Sequence, residues 1–127
     1  MQTSHVKTFA ASALVAASLL FSHLAFADKA SIKANLGAAR ERVVAIISGK
    51  GDAKTLAPEI AALSSKIDAE ADTVPGFKPV WEQFKANRDT KIIPAFSGGS
   101  ADDVAAAKAL AMGEQKQLYE KMMGLLD

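Results

Sequence analysis

The sequence predicts an all-α protein: an up-down-up-down antiparallel four-helix bundle that follows an N-terminal signal peptide. Apolar residues recur at intervals of three and four in four successive segments, which is the pattern of one buried helix face. Short breaks containing Gly and Pro separate segments of similar length, and short connections favour antiparallel neighbours in a bundle. Alanine is abundant, and the second half has no alternating β-branched run, so strands have little support.

Residues 1–27 have the organisation of a secretory signal peptide. Lys7 is their only fixed charge, an apolar run extends from Phe9 to Phe21, and Ala25 and Ala27 form the small-x-small pattern that signal peptidase accepts. The apolar run is shorter than the ~20 residues needed to cross a bilayer. We therefore predict cleavage after Ala27 and a periplasmic location; retention of the segment as an anchor is the alternative.

The predicted mature chain, residues 28–127, has the size of one small domain. Both histidines, His5 and His23, belong to the predicted signal peptide, and the chain has no cysteine. The side chains that most often serve in catalysis and metal binding are therefore missing, and disulfides cannot stabilise the domain. We predict a non-enzymatic protein without a cofactor or a metal.

Charge gives a further restriction on the partners of the mature chain. Without Lys7, fourteen of the fifteen Lys and Arg residues remain, against fourteen Asp and Glu. This balance provides no electrostatic basis for binding nucleic acid or an anionic membrane surface. The expected partners are a small molecule, another protein or a second copy of the chain.

The first helix is predicted over about residues 29–48, and the second from Thr55 to a stop before Val74. Thr55 is the expected N-cap of the second helix, and Pro58 is expected in its first turn. The helix should stop before Pro75 because the residue preceding a proline disfavours the helical region. The apolar stripes are Ile32, Leu36, Ala39, Val43, Ile46 and Ile47, then Leu56, Ile60, Leu63 and Ile67.

The third helix is predicted from Phe77 to Phe96, and the fourth from Ser100 to the C terminus. Pro94 should kink or terminate the last turn of the third helix, because it lacks an amide and its ring clashes with the carbonyl of Thr90. Ser100 and Asp103 form an acidic variant of the capping box. The stripes are Phe77, Trp81, Phe84, Arg88, Ile92 and Phe96, then Val104, Ala107, Ala111, Gln115, Leu118, Met122 and Leu125.

Arg88 is the one polar interruption of the third stripe, and a polar side chain at a core position needs a partner. The structural interpretation is that its stem lies along apolar surface while the guanidinium pairs with a nearby acid at the bundle edge. The functional interpretation is that its planar fork binds a ligand carboxylate in a partly desolvated groove. Arg40 or Arg42 on the first helix could supply a second positive group.

Gln115 interrupts the fourth stripe, and Gly113 before it permits a close neighbour. The structural interpretation is a hydrogen bond to a facing side chain, with Arg88 available as the donor; the functional one is a contact to ligand. Asn35 is a weaker candidate of the same kind. Aromatic residues at helical spacing are usually core, but four of them could line a pocket: Trp81, Phe84, Phe96 and Tyr119.

Other chemistry has weak support. Met112, Met122 and Met123 are soft ligands that suit copper(I), but no histidine or cysteine accompanies them in the mature chain, and core packing explains Met122. Acidic pairs such as Asp102 and Asp103 lie beside no obvious nucleophile and no glycine-rich phosphate loop. Carboxylates in this setting usually form a solvated helix face.

One part of the third helix, Trp81 to Phe96, reads WEQFKANRDTKIIPAF, and the following helix carries Gly113-Glu114-Gln115 before Tyr119. This pattern resembles the periplasmic four-helix-bundle sensor domains of methyl-accepting chemotaxis proteins. Those domains have a W-x-x-F/Y-x-x-x-R segment that enters an I-I-P-A-like turn, and then G-x-Q followed by an aromatic residue. The resemblance covers roughly Trp81 to Leu126 well and the first two helices loosely.

The resemblance implies a homodimer in the periplasm and recognition of a small ligand near the helix faces, with Arg88 as the position that carries over. Chemotaxis receptors also have a second membrane span and a cytoplasmic signalling region, and neither follows the fourth helix in this sequence. We therefore expect a freestanding module that binds a small molecule or a membrane sensor protein. The predicted ligand-binding residues are Arg88, Gln115, Trp81 and Arg40.

Two alternatives remain open at this point. In size, export signal and helix pattern the chain also resembles the cytochrome b562 and cytochrome c′ bundles. Those families ligate haem through histidine, and the c-type members attach it through C-x-x-C-H, so only a haem-free relative is compatible with the mature chain. The other alternative is a structural or stress-related interaction protein in which Arg88 and Gln115 only fix packing.

Overall fold

The computed structural model describes residues 28–127, and this part of the chain is all-helical without strands, as predicted. Four helical units follow one another, and none of their helices is long and apolar enough to cross a membrane. The predicted signal peptide, residues 1–27, lies outside the described residues. The elements are α1 over residues 28–47, α2 (Ala53–Glu70) with a 3-10 turn (Ala71–Thr73), α3 (Phe77–Asn87), a π turn (Arg88–Ile92), α4 (Ile93–Phe96), α5 (Ala101–Met112) and α6 (Glu114–Leu126).

Helix α2 begins earlier than the sequence suggested, because Asp52 and not Thr55 is its N-cap. The Asp52 carboxylate accepts hydrogen bonds from the backbone N–H of Thr55 at 3.2 Å and from its hydroxyl at 2.9 Å. Thr55 therefore serves as a donor inside the first turn. Pro58 lies beyond that turn, contrary to prediction, and its missing amide deprives the carbonyl of Lys54 of the usual helical hydrogen bond.

Pro94 does not terminate the third helical unit, which continues to Phe96. The turn before the proline widens instead, so that the backbone N–H of Ile93 donates to the carbonyl of Arg88, five residues earlier. In a regular α-helix the proline ring would clash with the carbonyl of Thr90. The predicted disturbance therefore takes the form of a π turn, a feature that is frequent at functional sites.

The fourth unit is not the single continuous helix that its stripe predicted. It is interrupted at Gly113, whose backbone lies outside the helical region while its N–H still donates to the carbonyl of Ala109 at 3.0 Å. A Cβ atom at position 113 would lie 3.2 Å from that same carbonyl oxygen. Glycine therefore gives the room for the break between α5 and α6.

Helix α5 is capped at its N-terminal end. The predicted capping box is confirmed: the Asp103 N–H donates to the Ser100 hydroxyl at 3.1 Å, and the Ser100 N–H donates to the Asp103 carboxylate at 3.0 Å. Ala107 is the one buried residue of this helix. Its small side chains leave space along the neighbouring units.

The buried hydrophobic side chains form three clusters, and two of these share the partly buried Val43 and Phe96 and so make up one region. The first region, the aromatic core, contains stacked rings, with centroids 6.4 Å apart for Phe77 and Trp81 and 6.2 Å apart for Trp81 and Phe84. The second region, the small-residue core, contains several alanines. Buried members of the aromatic core are Ile32, Leu36, Ile67, Ala71, Val74, Phe77, Val80, Trp81, Met122 and Leu126; those of the small-residue core are Ile46, Ala53, Ile60, Ile92, Ala95 and Ala107.

Candidate ligand-binding cavity

A cavity of about 350 Å³ lies between α1, the third helical unit and the junction of α5 and α6. This volume is in the range of small-molecule sites, roughly 300–1,000 Å³. Alanines on α1 and α5 contribute to the available space because they replace longer side chains at stripe positions. The lining residues are Ala39, Arg40, Val43, Val44, Ile47, Phe84, Arg88, Ile92, Ala111, Met112, Gln115, Lys116 and Tyr119.

The structure brings three of the four predicted binding residues, Arg88, Gln115 and Arg40, to this cavity. Trp81 is fully buried in the aromatic core and is not one of the lining residues. The guanidinium carbon of Arg88 lies 5.5 Å from the centre of the Trp81 ring. The Trp81 ring therefore packs near the Arg88 guanidinium, but Trp81 does not itself line the cavity.

Arg42, the other candidate for a second positive group, has its own partners away from the cavity. Its Nε donates to the carboxylate of Glu59 at 3.1 Å, and its Nη1 donates to the carbonyl of Ala38 at 2.9 Å. It is also absent from the cavity lining. Of the two arginines considered on α1, only Arg40 is placed to contribute.

Arg88 begins the π turn and is 1% exposed. Its Nε donates to Asp89 at 2.8 Å, and its Nη2 donates to Asp89 at 3.3 Å and to the Ser64 hydroxyl at 2.6 Å. Arg88 is thus paired with an acid, but it is buried and does not extend to the bundle edge. Asp89 occupies the edge formed by Nε and Nη2, and the buried Nη1 has no hydrogen-bond partner within residues 28–127.

Gln115 is buried, and its partners are on the third helical unit, although Arg88 is not one of them. Its carbonyl oxygen accepts a hydrogen bond from the amide of Asn87 at 3.1 Å, and its own amide donates to the carbonyl of Phe84 at 3.0 Å. Asn87 was missed in the sequence because it lies one position off the stripe. Pro94 could have pointed to this region, because a proline disturbs the preceding helical turn. That irregular turn begins directly after Asn87.

The cavity is lined by positive charges. Arg40, Arg88 and Lys116 contribute to it, and none of the lining residues that the structure describes is an acid. The Arg40 guanidinium carbon lies 4.6 Å from the centre of the Tyr119 ring, a cation–π geometry. Because Asp89 neutralises part of the Arg88 charge, the excess positive charge comes mainly from Arg40 and Lys116.

Asp68 supplies a second negative charge behind Arg88, on the side of Trp81. It accepts hydrogen bonds from the Trp81 indole N–H at 2.7 Å and from the Lys85 ammonium at 2.8 Å. Partial burial raises the pKa of Asp68, but these two hydrogen bonds and the charges of Lys85 and Arg88 outweigh it and lower the pKa. Asp68 therefore stays ionised and fixes the indole beneath the guanidinium.

Two large apolar side chains of the cavity lining are exposed. Val44 is 50% exposed and Met112 is 78% exposed, and they are the exposed large hydrophobics of the described chain. Single exposed apolar residues are common on proteins, but these two belong to one cavity. The cavity therefore has an apolar rim in addition to its positive groups.

Of the other candidates from the sequence, Phe84 and Tyr119 also line the cavity, whereas the methionines and Asn35 do not come together there. Met112 lies at the cavity rim, whereas Met122 is in the aromatic core. Asn35 donates to the hydroxyl of Ser31 at 3.5 Å and does not line the cavity. Within residues 28–127, no group of three or more His, Cys, Asp or Glu is placed to hold a metal ion.

No protein family model matches the chain, and neither a curated protein nor a solved structure is significantly similar to it. The function must therefore be inferred from the cavity and the side chains that surround it.

Proposed function

We propose that this protein is a non-enzymatic, small-molecule-binding module of the periplasm, exported by residues 1–27 and related to chemotaxis sensor domains as a freestanding unit. The main support for the proposal is the environment of Arg88. This residue is buried, it lines a cavity of about 350 Å³, and its Nη1 has no hydrogen-bond partner within the described chain. An unsatisfied buried donor costs about 1–3 kcal/mol, and more for a charged group. A ligand oxygen atom that reaches Nη1 and accepts a hydrogen bond from it would remove that cost.

The two motifs behind the sensor resemblance come together at this cavity. The W-x-x-F-x-x-x-R segment supplies Phe84 and Arg88, and the G-x-Q segment supplies Gln115. Their meeting supports a shared binding role, because two segments that are distant in the sequence contribute to one cavity. The proposed homodimer and the proposed membrane sensor partner follow from the same resemblance.

We also propose an up-down-up-down antiparallel arrangement of the four helical units. Between α1 and α2, Ser31 donates to Glu70 at 3.0 Å, and Arg42 donates to Glu59 at 3.1 Å. The residue numbers rise along one helix and fall along the other, which is the relation between antiparallel neighbours. In this arrangement the cavity lies along the helices and not across their ends.

A thermal-shift screen of the purified protein against amino acids, organic acids, haem and copper tests the binding function. A ligand at a hundredfold its dissociation constant stabilises a protein by about 2.7 kcal/mol. We expect a stabilising ligand whose effect is lost in Ala111→Leu, which fills the cavity, and kept in Ala105→Leu, an exposed site on the same helix. If no compound stabilises the protein, or if both variants respond as the parent does, the proposal fails.

The second candidate function is a structural or stress-related interaction protein, with a haem-free relative of the cytochrome b562 and c′ bundles as its variant. Gln115 favours it, since both ends of its amide already have partners inside the protein. This function predicts that Arg88→Met leaves capture of a protein partner unchanged and that the screen has no hit. A Soret band in the purified protein would instead indicate haem, and sedimentation equilibrium tests the dimer, which fails if the mass stays monomeric at high concentration.

A further inference from the structure

The lining of the cavity changes in character along the helices. At one end Arg40 lies over the ring of Tyr119, and further towards the termini Lys33 pairs with Asp127 at 2.8 Å. These contacts fix the register of α1 against α6. One turn further along α1, Val44 lies at the level of Lys116.

The far end of the cavity, another turn along α1, is apolar. Ile47 and Ala111 both pack against the buried cluster that contains Ile92, and all three line the cavity. Arg88, one turn before Ile92, is the charged residue of the described lining that lies nearest to this end. The distance from Arg40 to Ile47 along α1 is about 10 Å, from the helical rise of 1.5 Å per residue.

We propose that the ligand is an amphipathic monocarboxylate with an apolar body of about ten carbons, bound lengthwise in the cavity. The inference rests on the proposed function and adds the chemical class of the ligand. The carboxylate lies among Arg40, Arg88 and Lys116, and the apolar body lies against Ile47 and Ile92. The exposed rim then becomes covered by the ligand, which accounts for its apolar character.

The size of the ligand follows from the volume of the cavity. A dry protein cavity of about 150 Å³ holds one benzene ring of six carbons. By proportion, 350 Å³ takes about fourteen non-hydrogen atoms. Decanoate, with ten carbons and two oxygens, is within this limit.

The distribution of charge distinguishes this class from the obvious competitors. A dicarboxylate would place its second charge against Ile47 and Ile92, where nothing in the lining stabilises it. The ammonium group of an amino acid would meet positive charges, and none of the described lining residues is an acid that could pair with it. A neutral alcohol would leave Arg40 and Lys116 without an anion, so it gains nothing from the positive end.

Isothermal titration of the full protein with decanoate, decanol and succinate tests the class. We expect decanoate to bind at least about tenfold more tightly than decanol, which lacks the charge, or succinate, which lacks the apolar body. Lys116→Gln should weaken decanoate binding several-fold, while Lys121→Gln, an exposed lysine on the same helix, should leave it unchanged. Ala111→Leu should abolish it, and Ala105→Leu should not.

The outcomes separate the ligand class from the binding function. If decanol or succinate binds as tightly as decanoate and Ala111→Leu abolishes that binding, the class is wrong and the binding function stands. If decanoate binds equally to Ala111→Leu and Ala105→Leu, it lies elsewhere on the surface, and the class inference is overturned. If none of the three probes binds, the class inference is also overturned, and the binding function then depends on the wider thermal-shift screen.

Discussion

The aromatic core and the small-residue core are built from the same four helical units but differ in what their side chains fill. In the aromatic core, Phe77 and Trp81 are fully buried and stacked, and Ile32 and Met122 close the space around them. In the small-residue core, half of the buried residues are alanines, and the 350 Å³ cavity lies beside this core. The contrast shows that close packing in one region of a short chain can stabilise the fold while the other region keeps an open volume.

The largest expected effect is in the aromatic core. Trp81→Ala removes a fully buried ring and its hydrogen bond to Asp68, and we expect it to lower the free energy of unfolding by about 3–5 kcal/mol. Ala111→Leu adds apolar volume beside the cavity and should change the same quantity by less than about 1 kcal/mol. Urea denaturation of both variants measures this difference. Equal losses in the two variants would show that the regions do not differ as described.

The second prediction concerns the turn before α5, which is tight although the small-residue core beside it is open. A Cβ atom at Gly99 would lie 2.6 Å from the carbonyl oxygen of Ala95, so Gly99→Ala should destabilise the protein by about 1–3 kcal/mol. Gly124 in α6 has nothing within 4 Å of its would-be Cβ atom, so Gly124→Ala should stabilise the helix by about 0.5–1 kcal/mol. Thermal denaturation compares them, and a stabilising Gly99→Ala would contradict the geometry of the turn.

The third prediction separates stability from binding at Arg88. Arg88→Met keeps the aliphatic volume and leaves no buried charge behind, because the Asp89 side chain is 47% exposed and returns to water. We expect the free energy of unfolding to change by about 1 kcal/mol or less, while ligand stabilisation in the thermal-shift screen is lost. A loss of several kcal/mol in stability would instead make Arg88 a packing residue. Lys91→Met, an exposed neighbour on the π turn, is the control.

The smallest expected effect is the acid sensitivity of the contact between Asp68 and Trp81. The pKa of Asp68 is lowered from its ordinary value of 3.8, because hydrogen bonds from Lys85 and Trp81 outweigh the effect of burial. Its contribution to stability is therefore present above pH 3.8 and is lost as the pH falls through the lower folded-state pKa. Asp68→Asn should reduce the decline in unfolding midpoint over that acidic range. An unchanged acid profile would show that Asp68 does not contribute.

Some features of the fold could be predicted from the sequence, and others could not. The all-α class, the third and fourth stripes and the Ser100 capping box depend on local periodicity and capping, which a single sequence contains. Asp52 and Thr55 are both good capping residues three positions apart, so local preference could not choose between them. The break at Gly113 was missed because an isolated glycine is tolerated within a helical pattern.

The candidate cavity was predicted only as a set of residues. Arg88 and Gln115 stood out because each interrupts an apolar stripe, and Arg40 followed as a nearby positive group. Their common position depends on the packing of three helical units, which no local pattern contains. Asn87 could not be predicted for a related reason: it lies beside the apolar stripe, and only the packing of the helices brings its amide to Gln115.

The π turn has a consequence for changes in chain length. A regular α-helix advances by about 100° per residue, so the wider turn at Arg88–Ile92 offsets the rotational phase of α3 from that of α4. Deleting Thr90, which lies within this turn and is exposed, would remove the extra residue, but a regular α-helix would then set the Pro94 ring against the carbonyl of Asp89. The helix from Phe77 to Phe96 would still form, but either α3 or α4 would have to rotate about the helix axis. A deletion at this point would therefore either displace Asn87 and Arg88 from their buried positions or turn Ile92 and Ala95 away from theirs.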